Sequence, residues 1–348
     1  MNGKIDLRSD TITLPTEEMR EAMARAEVGD DGRGEDPTVR RLEEMSAERL
    51  GKEAGLFVAS GTMGNLVSVL SHTMPGEEII TEHQAHVYLY ELGGLAALGG
   101  LMCNRVTGVR GVLRAEDVEA AIRPPGSLFP RTALICLENT HNIAGGAVAT
   151  GEDMASVKAV ADRYGIPVHL DGARIWNAAV RLGAEASDLA RHATSVTFCL
   201  SKGLSAPVGS VVVGERKFIE TARRKRRLLG GGMRQAGVVA AAGIVALLRM
   251  VTRLAVDHEN ARILAEGIQA VPGIRVDMAA VQTNMVMVDL GGSSATPQGF
   301  LEHLSVRNVL ALPVSRTAVR FVTHRHIERA DVLEAAEAVR AVAEELCA

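Results

Sequence analysis

Two apolar runs in this chain each lead into a charge. Ile166 to Leu170 ends on Asp171, and Val196 to Leu200 passes through Ser201 to Lys202. Both runs read as short buried strands, and in an open parallel sheet ligands sit beyond the strands' carboxyl ends. A carboxylate and an ammonium are costly to bury there unless each has a partner. An ordinary Asp–Lys pair closing two strand ends meets that requirement. So does one cofactor: pyridoxal phosphate condenses with a lysine, and its ring nitrogen needs an acidic neighbour to stay protonated and draw electrons.

Other residues stand at similar places. Ser60-Gly-Thr-Met-Gly-Asn65 lies between a strand and a helix. Its small residues let the backbone approach an anion, and the free N–H groups of a helix start attract a phosphate; alone, such a turn is commonly only a turn. Glu138 to Asn142 follows a strand from Thr132 to Leu137, and His141 within it could donate to a substrate oxygen or move a proton. His86 could stack on a flat ring. For either histidine a solvated loop position is the plainer reading. Arg174 and Arg320 offer the planar fork that fits a carboxylate or phosphate, or else form surface ion pairs. Arg223 to Arg227 reads as a solvated helix face. Five basic residues in a chain of net charge −4, with no aromatics beside them, are thin support for nucleic-acid binding. Gly230 to Gly232, just beyond, imply backbone freedom or close approach to an anion.

These groups need a frame. Helices are expected at about 17–26, 38–50, 65–72 and 153–164, and strands at 55–59, 78–81, 132–137, 166–170, 196–200 and 210–213. That alternation argues for an α/β fold with a mainly parallel, helix-covered sheet. After a helix around 236–265, strands at 273–278, 284–289, 309–312 and 318–322 and helices near 297–307 and 328–346 read as a small α+β domain. Cys103, Cys136, Cys199 and Cys347 are far apart and fit no metal-ligand spacing. No metal site is expected. The amino terminus lacks the apolar segment of a signal peptide, and Val238 to Leu248 is too short to span a bilayer. A cytoplasmic protein without membrane or nucleic-acid partners is the expectation.

Eight motifs occur in order: Leu7 to Thr11, Gly34 to Val39, Ser60 to Thr62, Glu138 to Asn142, His169 to Arg174, Cys199 to Leu204, Gly230 to Gln235 and Arg320 to His324. Together they resemble the low-specificity L-threonine aldolases, pyridoxal-phosphate lyases of the aspartate-aminotransferase fold (fold type I), over nearly the whole chain. The resemblance implies a large cofactor domain over 1–250, with segment 1–15 reaching the site, and a small domain over 251–348. It implies that Lys202 carries the cofactor, Asp171 keeps its ring nitrogen protonated and His86 stacks on the ring. Gly61, Thr62 and a partner subunit's Arg234 would hold the phosphate, and Arg174 the phenolate oxygen. Ser9 and Arg320 would bind the substrate carboxylate, with His141 near the substrate hydroxyl. The site would lie at a dimer interface, in a dimer of dimers.

The implied reaction is retro-aldol cleavage of L-threonine, L-allo-threonine and related β-hydroxy-α-amino acids to glycine and an aldehyde. Arg320 and Ser9 would set the Cα–Cβ bond perpendicular to the ring, and His141, His86 or a bound water would take the hydroxyl proton. β-Elimination, racemisation and transamination share Lys202 and Asp171 and are the alternatives. One departure stands out. Relatives read Gly-Asp-Asp-Val-Tyr-Gly where this chain has Gly29-Asp-Asp-Gly-Arg33-Gly34. Arg33 is either a solvated loop residue or a substrate contact that alters the preferred side chain.

Overall fold

A computed structural model of the chain describes residues 3–346 apart from 125 and 127; Cys347 lies outside the described residues. The short strand β1 (Ile5–Asp6) comes first. Seven strands then form one sheet: β2 (Ala54–Val58), β3 (Glu78–Glu82), β4 (Met102–Val106), β5 (Thr132–Glu138), β6 (Val168–Asp171), β7 (Ser195–Cys199) and β8 (Ser210–Gly214). Their order is β2-β8-β7-β6-β5-β3-β4. Only β8 runs against its neighbours. The central strands are buried along their whole length, as expected of a sheet covered on both faces.

Local chemistry starts and stops the covering helices. Ser60 caps the helix Gly61–His72 by accepting from the Met63 N–H. Thr150 and Asp153 cap the start of Gly151–Tyr164 reciprocally, each side chain accepting from the other's N–H, and the helix stops at left-handed Gly165. Four short strands complete the fold: β9 (Met285–Asp289), β10 (Val309–Leu310), β11 (Leu312–Pro313) and β12 (Ala318–Val322). β9, β12 and β11 make a small antiparallel sheet, while β10 pairs in parallel with β1. Ile5 and Leu7 therefore pack into the apolar core of the carboxyl-terminal elements, apart from the core under the large sheet.

The structure departs from the sequence reading at several points. β4 was not expected; it is a half-exposed edge strand whose polar residues hide the strand pattern. The expected strand over 273–278 reduces to one bridge between Arg275 and Asp289. The long helix breaks into Gly237–Arg249 and Leu254–Ile268, bent by 70°. The first half and Leu254 pack on the large-sheet core, and Ala261, Leu264 and Ile268 on the small one. A straight helix would not serve both. Among the described residues no single helix is long and apolar enough to cross a membrane.

The basic run lies on the helix Arg216–Leu228, but it is not wholly solvated. Arg226 is buried and donates to the Phe57 carbonyl at 2.7 Å and to Asp31 at 2.8 Å. Removing one partner of a buried pair strands the other charge. Arg226→Ala should therefore cost about 3–5 kcal/mol in urea unfolding. Arg224→Ala, on the exposed face of the same helix, should stay within about 0.5 kcal/mol of wild type.

Candidate active site

The carboxyl ends of β5, β6 and β7 open towards the start of the helix Gly61–His72 and the short helix His86–Leu89. Asp171, the last residue of β6, is 4 % exposed. Its Oδ2 accepts from Asn65 Nδ2 at 2.8 Å and its Oδ1 from the Ala173 N–H at 3.1 Å. The same Asn65 amide donates to Glu91 at 2.8 Å, and Glu91 lies 3.0 Å from His86 Nδ1. Ligand atoms of His86, Glu91 and Asp171 all lie within 4.8 Å of one another. Burial works against a charged His86, but the Glu91 hydrogen bond and the Asp171 charge raise its pKa above the ordinary value. Burial and the Asp171 charge push Glu91 up as well. Both shifts run the same way, towards keeping a proton on the pair.

His141 is 1 % exposed, not solvated. Its Nε2 lies 3.0 Å from Glu82, and its Nδ1 accepts from the Ala144 N–H at 3.2 Å. That second bond assigns the proton to Nε2 in the neutral ring. Burial opposes its charged form, while Glu138 and Glu82 together raise its pKa. Glu138 accepts from the His86 N–H at 2.6 Å and the Asn142 N–H at 2.7 Å, so one carboxylate ties both histidine loops.

Arg174 is not a surface residue. It forms a two-pronged buried pair with Asp10, both contacts at 2.7 Å. Burial would raise the Asp10 pKa, but Arg174 holds it well below the usual carboxylate range. Asn284 adds a donor to Asp10 at 3.2 Å. Arg320, 9 % exposed, donates to Asn142 at 2.8 Å, and its Nε is buried without a hydrogen-bond partner among the described residues. Ser9 accepts from Thr11 at the turn that presents Asp10. Lys202 has its carbonyl bonded by Thr13 at 2.8 Å. Its Nζ makes no hydrogen bond or ion pair among the described residues, so the Asp–Lys pair of the plainer reading does not form.

Lys202, Asp171, His86, Arg174 and Arg320 thus share one region. Arg33 and Arg234 are grouped elsewhere, both exposed and flanking Asp30, at 3.8 Å and 3.4 Å. Asp10, Asn65, Glu82, Glu91, Glu138 and Asn142 were not singled out from the sequence. Asn65 had a signal, closing the glycine-containing segment Ser60 to Asn65 that the sequence marks as a candidate anion site.

The residues fit pyridoxal phosphate. Lys202 is free to condense, Asp171 is a carboxylate at a strand end, and Arg320 has an unspent buried donor. Gly61 begins a helix where an added Cβ would stand 2.9 Å from Cys199 Sγ, so only glycine sits there without displacing it. The fold and these residues fit an enzyme dependent on pyridoxal phosphate.

The sequence profile of the Beta-eliminating lyase family matches residues 6–290. The chain is 48% identical over 333 residues to low-specificity L-threonine aldolase 1 of Arabidopsis thaliana, covering 94% of this chain and 93% of that one. It is 44% identical over 340 residues to the low specificity L-threonine aldolase of Escherichia coli K12, covering 97% and 98%. Among solved structures, a threonine aldolase from Leishmania major superposes with a TM-score of 0.82 at 20% identity, covering 97% of this chain and 99% of that one. An SPT structure with pyridoxal phosphate superposes at 0.78 and 19% identity, covering 98% and 88%. The chain belongs to the Beta-eliminating lyase family, in its group of low-specificity L-threonine aldolases.

Two further histidines pack behind Asp171. Burial pushes His169 down to about 3 and His72 to about 4. Unfolded, both would titrate near 6.5. Between those values the unfolded chain binds more protons, so stability rises with pH across that window. Lowering the pH from 7 to 5 should cost roughly 2 kcal/mol through His169 alone. The urea midpoint should fall accordingly, and fall less in His169→Gln.

Proposed function

We infer that this chain cleaves L-threonine, L-allo-threonine and related β-hydroxy-α-amino acids to glycine and an aldehyde by a retro-aldol reaction. The observation that carries this reading is an uncommitted Lys202 in one site with the buried Asp171 and Arg320, in a chain 44–48% identical to low-specificity L-threonine aldolases. Bound pyridoxal phosphate supplies the electron sink for the bond between Cα and Cβ. Lys202 would hold it covalently and Asp171 its ring proton. His86 would cover the ring, Arg174 would donate to its phenolate oxygen, and Gly61, Thr62 and a partner's Arg234 would hold its phosphate.

Arg320 suits the substrate carboxylate, because its buried Nε is unpaired and Asn142 already aims the guanidinium. Ser9 would add a hydroxyl donor. For the hydroxyl proton, the geometry favours His86 over His141. Both ring nitrogens of His141 are engaged and the side chain is buried. His86 is 29% exposed, Glu91 holds its Nδ1, and its Nε2 makes no hydrogen bond among the described residues. His141 would then order the loop that carries Asn142.

We also propose the division into 1–250 and 251–348, a dimer of dimers, and a cytoplasmic location. Exposed Leu89, Tyr90 and Leu92 beside His86 support an interface there. Arg33 and Arg234, exposed in one subunit, would reach a site only from its neighbour.

Purified protein loaded with cofactor should release glycine and acetaldehyde in equal amounts from L-threonine and L-allo-threonine, and Lys202→Ala should release neither. A coloured wild-type protein that makes no glycine would overturn the reaction. Arg320→Ala should raise KM for threonine more than it lowers kcat, by the about 1.5–3 kcal/mol of a charged hydrogen bond.

A further inference from the structure

Behind Asp171 runs a buried chain of hydrogen bonds that the reaction itself does not call for. Asn65 Nδ2 donates to Asp171 Oδ2 at 2.8 Å, and Asn65 Oδ1 lies 3.2 Å from His169 Nε2. His169 Nδ1 lies 2.9 Å from Ser195 Oγ, and Ser195 Oγ lies 2.9 Å from His72 Nε2. Asn65, His169 and Ser195 are each no more than 3 % exposed. The fold assembles the chain from two surfaces. Asn65 and His72 stand two turns apart on one face of the helix Gly61–His72. His169 and Asp171 share one face of β6, and His169 is in register with Ser195 on β7.

The proton positions follow from valence. Asn65 spends both amide hydrogens on carboxylates, Asp171 and Glu91, so its oxygen must accept. His169 must then donate from Nε2. Burial keeps it neutral, so its Nδ1 accepts and Ser195 must donate its hydroxyl. The Ser195 oxygen accepts in turn from His72 Nε2. Every N–H and O–H therefore points the same way, towards Asp171, and such aligned bonds polarise one another. The Asn65 amide also stands between two carboxylates. Without it Asp171 and Glu91 would repel across a few ångströms in a buried site, to be relieved by rotation or by proton uptake.

We propose that Asn65 and His169 are positioning residues for Asp171, holding its carboxylate as a fixed, charged partner for the ring nitrogen of the cofactor. The proposal rests on the reading of Asp171 given above. Substituting the chain disturbs the ring proton rather than the substrate contacts, so kcat changes more than KM.

The test compares wild type with Asn65→Ala, His169→Leu, His169→Gln and Ser195→Ala, all loaded with pyridoxal phosphate labelled with nitrogen-15 at the ring. Thermal melting selects folded variants, and the ring resonance is read alongside kinetics. In Asn65→Ala and His169→Leu the resonance should move towards the unprotonated position. Their kcat should fall about 10- to 100-fold, the range found for groups that orient a catalytic ligand, while KM stays within about twofold. His169→Gln keeps an N–H for Asn65 Oδ1 and should recover both readings. Ser195→Ala removes only a hydroxyl, so it remains foldable if the others fail, and should shift the resonance less but in the same direction. Folded Asn65→Ala, or Ser195→Ala where Asn65→Ala does not fold, with the wild-type resonance and kcat overturns the proposal. If wild type binds cofactor but releases no glycine, the aldolase reading alone falls, and the resonance still decides the role of Asn65 and His169.

Discussion

One buried carboxylate joins three parts of this chain. Asp10 comes from the amino-terminal segment, Arg174 from the turn after β6, and Asn284 from the residue before β9. A charge buried this deeply is tolerable only when its partner is geometrically well matched and its other lone pairs are used. Arg174 supplies the match with both prongs, and Asn284 uses a remaining lone pair. The amino-terminal segment is therefore held where Thr13 reaches the Lys202 carbonyl. Leu7 completes the tie from the other side, its carbonyl accepting from the Val322 N–H. Arg320 sits two residues before that bond. One ion pair thus ties the amino-terminal segment, the turn after β6 and the start of β9 together.

A second constraint is the crowding of carboxylates. Asp171, Glu91, Glu138 and Glu82 are all buried near the strand ends. Each is tolerated because donors are placed on it: the Asn65 amide, backbone N–H groups, and the rings of His86 and His141. Glu138 spends its two oxygens on the His86 and Asn142 N–H groups, so it holds the loop beside the ring site and the loop that aims Arg320. Burial of polar groups here is a positioning device. It keeps side chains at defined places while leaving Lys202 Nζ and His86 Nε2 without a hydrogen bond among the described residues.

Much of the frame was legible because its signals are local. Apolar runs marked β5, β6, β7, β8 and β12, and the helix starts expected near 17, 38, 65 and 153 fall within four residues of the observed Glu17, Pro37, Gly61 and Gly151. β4 escaped because an edge strand needs no apolar alternation. The break between Gly237–Arg249 and Leu254–Ile268 escaped because each half is a good helix; the need to serve two cores is a property of the assembled fold. Arg226 read as part of a solvated face and Arg174 as an anion binder or a surface ion pair, since nothing local says that Asp31 and Asp10, both more than 150 positions away, will meet them.

The sequence by itself determined the chemistry on offer. Lys202 and Asp171 at the ends of apolar runs and a glycine turn before a helix offered a cofactor, and eight motifs in order carried the resemblance that implied a fold and a reaction class. These are choices of residue type at short spacing, and the chain's own order carries them. Tertiary structure alone decided which charges are paired and which are free. It buried His141 against Glu82 and left His86 open on one nitrogen. It also joined Asn65 to His169 behind Asp171 through a helix and two strands that are remote in sequence. Hydrogen-bond geometry is set within a few tenths of an ångström by packing, and no local pattern of residues encodes that.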